Sequence, residues 1–242
     1  MLLLRYTASS QTHQIRLLES LRKARSVWDR IPDPAMVEQR SSDWFALRKC
    51  TISGSIAHHI AGARGEEATL SAFKAVFELN KPVYTEDMKR GADGEDTIRE
   101  LLASQKGLRL QTAGICVHSA FKYLTFSPDA LTDDGSFVEI KYPRQHYESK
   151  EKAIAAYRHQ LQHGMLIMNV EQCLLTVYDG SSLCVYDVEA SHEWREKALK
   201  RYEAFYTQWL QWYWERDFVQ GAGTIAKIFE RVFPAQKAPD ME

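Results

Sequence analysis

Between Phe137 and Tyr142 the chain reads Phe-Val-Glu-Ile-Lys-Tyr, an alternation that puts Val138 and Ile140 on one strand face and Glu139 and Lys141 on the other. Pro143 ends the run, because proline cannot donate to a sheet ladder. Upstream, Lys122 to Leu131 is a second β-rich run, and Thr132-Asp133-Asp134-Gly135 carries the residue types of a tight turn. An antiparallel return through that turn brings Asp129, stiffened by Ser127-Pro128, back towards Glu139. Two readings are open at this point. Glu139 and Lys141 could form a solvated strand face of alternating charge. Alternatively, two hard oxygen ligands beside an ammonium could hold a magnesium ion against a phosphodiester. The flanking residues favour the second, since a polar pair inside an apolar strand is costly unless it has a task.

The remaining pattern predicts what this hairpin packs against. Helices are expected over Gln11 to Arg30, Trp44 to Arg48, Ser53 to Ala61 with Ser53 as N-cap, and Ala68 to Leu79, stopped by Asn80 and Pro82. Further helices are expected over Gly94 to Gln105 and Lys150 to Asn169, the latter with the apolar stripe Ile154, Tyr157, Leu161, Gly164 and Met168. Leu108 to Tyr142 reads as a β-meander, and Gln172 to Tyr178 with Leu183 to Val188 as a strand pair turning at Asp179-Gly180. A long helix from Ser191 to Phe218 and a short apolar tail helix close the chain. Helices bracketing a central sheet make an α/β fold. The expected division is a helical extension over 1–40, a core over 41–190, and helices over 191–242 packing on the same domain.

Composition narrows the function classes. A formal net charge of −1 over 242 residues argues against a protein that coats nucleic acid, though not against an enzyme with a locally basic cleft. No run approaches the ~18 apolar residues of a membrane span. Met1-Leu2-Leu3-Leu4-Arg5 is too short for a signal peptide, so a cytoplasmic setting is expected. Cys50, Cys116, Cys173 and Cys184 are scattered and read as reduced thiols.

Four other features carry competing readings. Glu95, placed in the first turn of its helix, could complement the positive helix end or act as a third carboxylate. Gln160 borders the apolar stripe and needs partners that a site water or phosphate could supply. His159 and His163 have the spacing of a zinc pair but lack a third ligand, and His58-His59 reads as a helix surface. Phe205, Tyr206, Trp209, Trp212, Tyr213 and Trp214 fall at helical spacing, as core more than as a base-stacking platform.

Six elements occur in order: Trp44-x-x-x-Arg48, Ile52-Ser53-Gly54-Ser55, Gly91-x-x-x-Glu95, Ser127-Pro128-Asp129, Glu139-Ile140-Lys141-Tyr142-Pro143 and Tyr157-x-x-Gln160-x-Gln162. Together they resemble the bacteriophage lambda exonuclease family, or YqaJ-type viral recombinases, within the PD-(D/E)xK nuclease superfamily, over roughly Ser42 to Val188. The resemblance implies a restriction-endonuclease-like mixed β-sheet flanked by helices. It implies that Asp129, Glu139 and the Ile140 carbonyl hold Mg2+, with Mn2+ tolerated, and that Lys141 orients or activates the attacking water. Glu95 would contact a metal-bound water or second metal, Gln160 would position water or phosphate, and Arg48, Ser53 and Ser55 would bind the 5′-phosphate of a DNA end, with Arg64 nearby. The implied activity is 5′-to-3′ digestion of one strand of linear double-stranded DNA from a 5′-phosphorylated end. The implied partners are a single-strand annealing protein and two further copies of the chain in a ring-shaped homotrimer. Two alternatives stay open: an endonuclease of the same superfamily, and a non-catalytic DNA-end-binding module. Tyr142 and Ala130 depart from the family pattern, which favours a small residue or cysteine and a glycine there.

Overall fold

A computed structural model of the chain describes residues 2–62, 65–78, 85–144 and 146–215. Its centre is a five-stranded mixed sheet in the order β1-β4-β5-β6-β7, built from β1 (Leu110–Gln111), β4 (Ala130–Thr132), β5 (Phe137–Lys141), β6 (Gln172–Tyr178) and β7 (Leu183–Glu189). A separate two-stranded ribbon pairs β2 (Cys116–Val117) with β3 (Thr125–Phe126). Among the described strands only β5 and β6 pair in parallel, and the crossover between them is α5 (Lys150–Met168). This is the α/β class and architecture expected from the sequence.

The two faces of β5 meet different layers. Val138 and Ile140 pack with Ala130, Ile98 and Leu102, the last two on α4 (Glu86–Lys106). Phe137 joins the larger core with Leu161 and Met165 of α5. The helix comes close because residue 164 is glycine: a Cβ there would stand 2.7 Å from Cζ of both Phe126 and Phe137. Seven consecutive residues of α5, from Leu161 to Ile167, are buried, as befits a crossover helix enclosed on all sides.

The N-terminal helix α1 (Leu2–Arg30) buries Leu17, Leu21, Ala24 and Val27 at helical spacing, and the Trp28 indole donates to the Leu47 carbonyl at the end of α2 (Ser42–Arg48). Beyond α3 (Gly65–Val76), the predicted stop at Asn80 and Pro82 lies outside the described residues. Ser191 caps α6 (His192–Phe205), which runs through a π-helical turn (Tyr206–Leu210) into α7 (Gln211–Trp214); the expected helix end at Phe218 and the tail helix lie outside the described residues.

Three expectations change. Residues 53–61 do not form a helix capped by Ser53. Ile52 bridges to Leu124, a turn follows, and a π-helical turn (His58–Gly62) ends the segment. The Ser53 hydroxyl engages Arg48 and Ser55 instead of capping. The helix expected from Gly94 begins at Glu86, capped by the Thr85 side chain, and ends at Gly107. Glu95 therefore lies well inside α4, away from the helix-end dipole. Gly94 is used for close approach, since a Cβ there would stand 2.9 Å from the Tyr142 ring. The unusual tyrosine after Lys141 thus fits against α4. The expected meander is divided, because Lys122 to Leu131 serves two sheets: Thr125 and Phe126 pair with β2, while Ala130 and Leu131 pair with β5.

Candidate active site

The register of β4 on β5 pairs Ala130 with Val138, so the next position puts Asp129 opposite Glu139. The Asp129 backbone N–H donates to the Val138 carbonyl at 3.2 Å, and the Ile140 N–H donates to Asp129 Oδ2 at 2.6 Å. Lys141 Nζ and Gln160 Nε2, the latter from α5, both donate to Glu139 Oε1 at 2.5 Å. The Lys141 ammonium also stands 5.2 Å from the centre of the Tyr157 ring, whose hydroxyl accepts from Tyr147.

These groups line one cleft of about 710 Å3 together with Arg48, Ser53, Ser55, Glu95 and Ile140. Arg48 donates to Ser55 Oγ at 3.0 Å and lies over the Trp44 ring at 4.2 Å. Trp44 in turn donates its indole N–H to Ser127 Oγ at 3.0 Å. Among the described residues no carboxylate lies within ion-pair distance of Arg48, and burial lowers its pKa. A desolvated cation held by two hydroxyls is a place for an anion. Arg64 lies outside the described residues.

The carboxylates are under strain of charge. Burial, then the Asp129 charge, push Glu139 up to about 8 against the pull of Lys141. Burial raises Asp129 as well, opposed by Lys141 and the Ile140 N–H. Burial also disfavours the Lys141 ammonium, but Glu139 and Asp129 outweigh it and raise its pKa. Glu139 Oε2 is buried with no hydrogen-bond partner among the described residues. Two crowded carboxylates, one with an orphaned oxygen, fit a magnesium ion, which takes one or two protein carboxylates and leaves other positions to substrate phosphates and water. Among the described residues no three His, Cys, Asp or Glu side chains converge as a closed cage.

Glu95 differs from the other two. Arg99 Nη2 donates to its Oε1 at 2.9 Å, and Arg40 Nη2 donates to its Oε2. Burial and the Asp129 charge raise its pKa while both arginines lower it. Three carboxylates thus face Lys141, Arg40 and Arg99, and these cations offset the crowding only in part, since Glu139 still stands at about 8. Sequence reasoning missed both arginines. Arg99, four residues after Glu95 on one helix, carried a spacing signal. It also donates from Nε to the Asp129 carbonyl at 3.1 Å. Arg40 carried none. It sits at φ +65°, a left-handed conformation that costs a non-glycine residue about 1–3 kcal/mol.

The histidine candidates resolve into structure. His163 is buried; Nε2 contacts the Ile52 and Thr125 carbonyls at 3.1 and 3.0 Å, and Nδ1 meets the Tyr202 hydroxyl at 2.9 Å. Two carbonyls can only accept, so Nε2 carries the hydrogen, and burial pushes the pKa down to about 4. His159 Nδ1 accepts from the Trp194 indole. The His58 and His59 rings meet at a tilt of 36°, away from the cleft lining. Phe205, Trp209, Trp212 and Tyr213 are core, and Tyr206 stacks on Tyr123.

A mixed sheet that sets an aspartate against a Glu-x-Lys strand across one antiparallel pair defines the PD-(D/E)xK class of nucleases. The sequence narrows this further: the family model of the YqaJ-like viral recombinase domain matches residues 43–171, and the chain belongs to that family. Among solved structures, the chain is similar to the alkaline exonuclease of Laribacter hongkongensis, both alone (TM-score 0.59) and in complex with dAMP (TM-score 0.60). In each case identity is 18%, covering 78% of this chain and 100% of that one. A phage-related exonuclease from Haemophilus somnus 129PT has a TM-score of 0.53 at 17% identity, covering 75% of this chain and 98% of that one. At such identities the likeness is one of fold. No sequence among the curated proteins matches.

Proposed function

We propose that the protein is a magnesium-dependent exonuclease that digests one strand of linear duplex DNA 5′-to-3′ from a 5′-phosphorylated end, leaving a 3′ single strand for recombination by strand annealing. The observation that carries this reading is Arg48, a cation with no carboxylate within ion-pair distance among the described residues, in the same cleft as Asp129, Glu139 and Lys141. An endonuclease needs the carboxylates and lysine; an anion pocket beside them suits an enzyme that starts from a phosphorylated end.

In this mechanism Arg48, Ser53 and Ser55 grip the terminal phosphate and fix which phosphodiester reaches the carboxylates. A magnesium ion held by Asp129, Glu139 and the Ile140 carbonyl would supply Lewis-acid polarisation of the scissile phosphate. Lys141 orients the attacking water and stabilises negative charge developing on the phosphorus oxygens, while the Tyr157 ring holds the ammonium in place. Gln160, bonded to Glu139, positions that carboxylate and a neighbouring water. Glu95 acts through a water at the edge of the centre. Release of 5′-mononucleotides agrees with the dAMP bound to the Laribacter relative.

A ring-shaped homotrimer threading the duplex, a single-strand annealing partner and action in the host cytoplasm belong to the proposal through the family resemblance. No helix among the described residues is long and apolar enough to cross a membrane. The test compares 5′-phosphorylated linear, 5′-hydroxyl linear and covalently closed duplex with magnesium. Rapid digestion of the first, slow digestion of the second and survival of the third are expected. Cutting of the closed circle would instead favour an endonuclease, and absence of any digestion a non-catalytic end-binding module.

A further inference from the structure

We propose that Arg40 is a DNA-phosphate-binding residue, parked on Glu95 in the free protein and transferred to a backbone phosphate when a duplex end enters the cleft. This rests on the reading of the cleft as a DNA site. It concerns a residue just outside the stretch 43–171 that the family model matches.

The starting point is backbone conformation. Arg40 occupies the left-handed region, where glycine would be free of strain and where arginine is an uncommon choice. Its neighbours hold it there. The Gln39 side chain donates to the Ala113 carbonyl at 2.6 Å and the Pro128 carbonyl at 2.8 Å, Ser41 N–H donates to the Glu38 carbonyl, and Ser41 caps α2. The turn is thereby fastened to the residue preceding Asp129, and the Arg40 side chain is aimed across the cleft.

What it reaches there does not account for it. Glu95 already has Arg99 as an ion-pair partner, with both side chains largely buried, at 14% and 16% exposure. The Arg40 side chain is 47% exposed, and a second, solvated ion pair adds little stability. Among the described residues Arg40 uses two of its five N–H donors, on Glu95 and on the Ala92 carbonyl, leaving a half-exposed fork over a cleft that would hold phosphates. Phosphate accepts two parallel bonds from such a fork and can outcompete a carboxylate that keeps Arg99. The exchange would free Glu95 Oε2 at the moment substrate arrives, linking occupancy of the cleft to readiness of the third carboxylate.

The test is equilibrium binding of a 5′-phosphorylated linear duplex, measured by fluorescence anisotropy in EDTA across a salt series, for the full-length wild type, Arg40→Gly, Arg40→Gln and Arg40→Lys. Arg40→Gly should bind about tenfold more weakly, with a salt slope lower by about one phosphate contact, while its Tm is unchanged or raised because the strain is gone. Arg40→Gln should lose the same affinity, and Arg40→Lys should recover part of it. Unchanged affinity and slope in Arg40→Gly overturn the proposal. So does weaker binding with a lowered Tm and an unchanged slope, the signature of a purely structural latch. Wild type that binds in EDTA but does not digest the same duplex once magnesium is added removes the nuclease reading and leaves Arg40 to be decided by the same comparison. Wild type that does not bind duplex overturns both.

Discussion

Replacing Arg48 by alanine should remove the preference for phosphorylated ends without unfolding the protein, because among the described residues the guanidinium is held by hydroxyls and a ring and by no direct ion pair. Its bonds are to Ser53 and Ser55, its stacking partner is Trp44, and burial already disfavours its charge. A hydrogen bond to a charged group is worth about 1.5–3 kcal/mol, so loss of one such contact to a terminal phosphate predicts a fall of about 10–150-fold in kcat/KM on 5′-phosphorylated duplex. The 5′-hydroxyl substrate never made that contact and should be digested at an almost unchanged rate. For stability, loss of the cation–π stack, about 0.5–1 kcal/mol, is offset by relief of desolvation, so Tm should stay within roughly 4 °C. The assay is initial-rate digestion of the two linear substrates at equal ends, with thermal melting of both proteins. Equal losses on both ends would show that Arg48 supports the catalytic centre and not the end pocket. A large fall in Tm would show that its packing matters more than its charge.

Lys141→Ala should abolish digestion while leaving duplex binding within a few-fold, read by anisotropy beside a gel assay; retained cutting would remove the lysine from the chemistry. In metal-free buffer, Glu139 has a folded pKa of about 8 against an ordinary 4.5, so its contribution to stability is full below pH 4.5 and is lost as pH rises through about 8. Magnesium binds the ionised form, so the Tm gain on adding it should grow between pH 6 and pH 9; a gain independent of pH would disconnect Glu139 from the metal. Gly164→Ala should destabilise by about 1–3 kcal/mol, measured by urea melts, because its Cβ would stand 2.7 Å from Phe126 and Phe137; a neutral effect would mean that α5 is less tightly seated on β5 than described.

What could be read from the sequence was whatever a short window encodes. The period-two run at Phe137–Lys141 and the turn before it established β5 and its partner, and helical spacing around Gly164 established α5. The start of α4 was not legible. The helix is expected only from Gly94, and Gly91 and Gly94 each weaken a helix by about 1 kcal/mol, yet the Thr85 cap and the packing of Tyr142 against Gly94 carry it back to Glu86. The turn at Ser53 was misread for a related reason: the Ile52–Leu124 bridge joins segments far apart in sequence, and no local pattern announces it. Arg99 could have been found from its spacing to Glu95. Arg40 reaches Glu95 only through the tertiary path of the turn that carries it.

That same bridge would keep the proposed end pocket and cutting centre at a fixed separation. Ile52 N–H donates to the Tyr123 carbonyl and Thr125 N–H donates to the Ile52 carbonyl, so the segment leading to Ser53 and Ser55 is joined to the strand leading to Asp129. Buried His163 contacts the carbonyls of both Ile52 and Thr125, and the Thr51 and Thr125 hydroxyls meet at 2.7 Å. On the other side, Trp44 lies beneath Arg48 and reaches Ser127. Hydrogen bonds buried this way are costly to break, because an abandoned partner finds no water. If Arg48, Ser53 and Ser55 hold the terminal phosphate, the distance to the next phosphodiester is then set by the protein core. On the proposed function, a terminal phosphate gripped at one end of such a joint would present the same bond to Asp129 and Glu139 on every cycle.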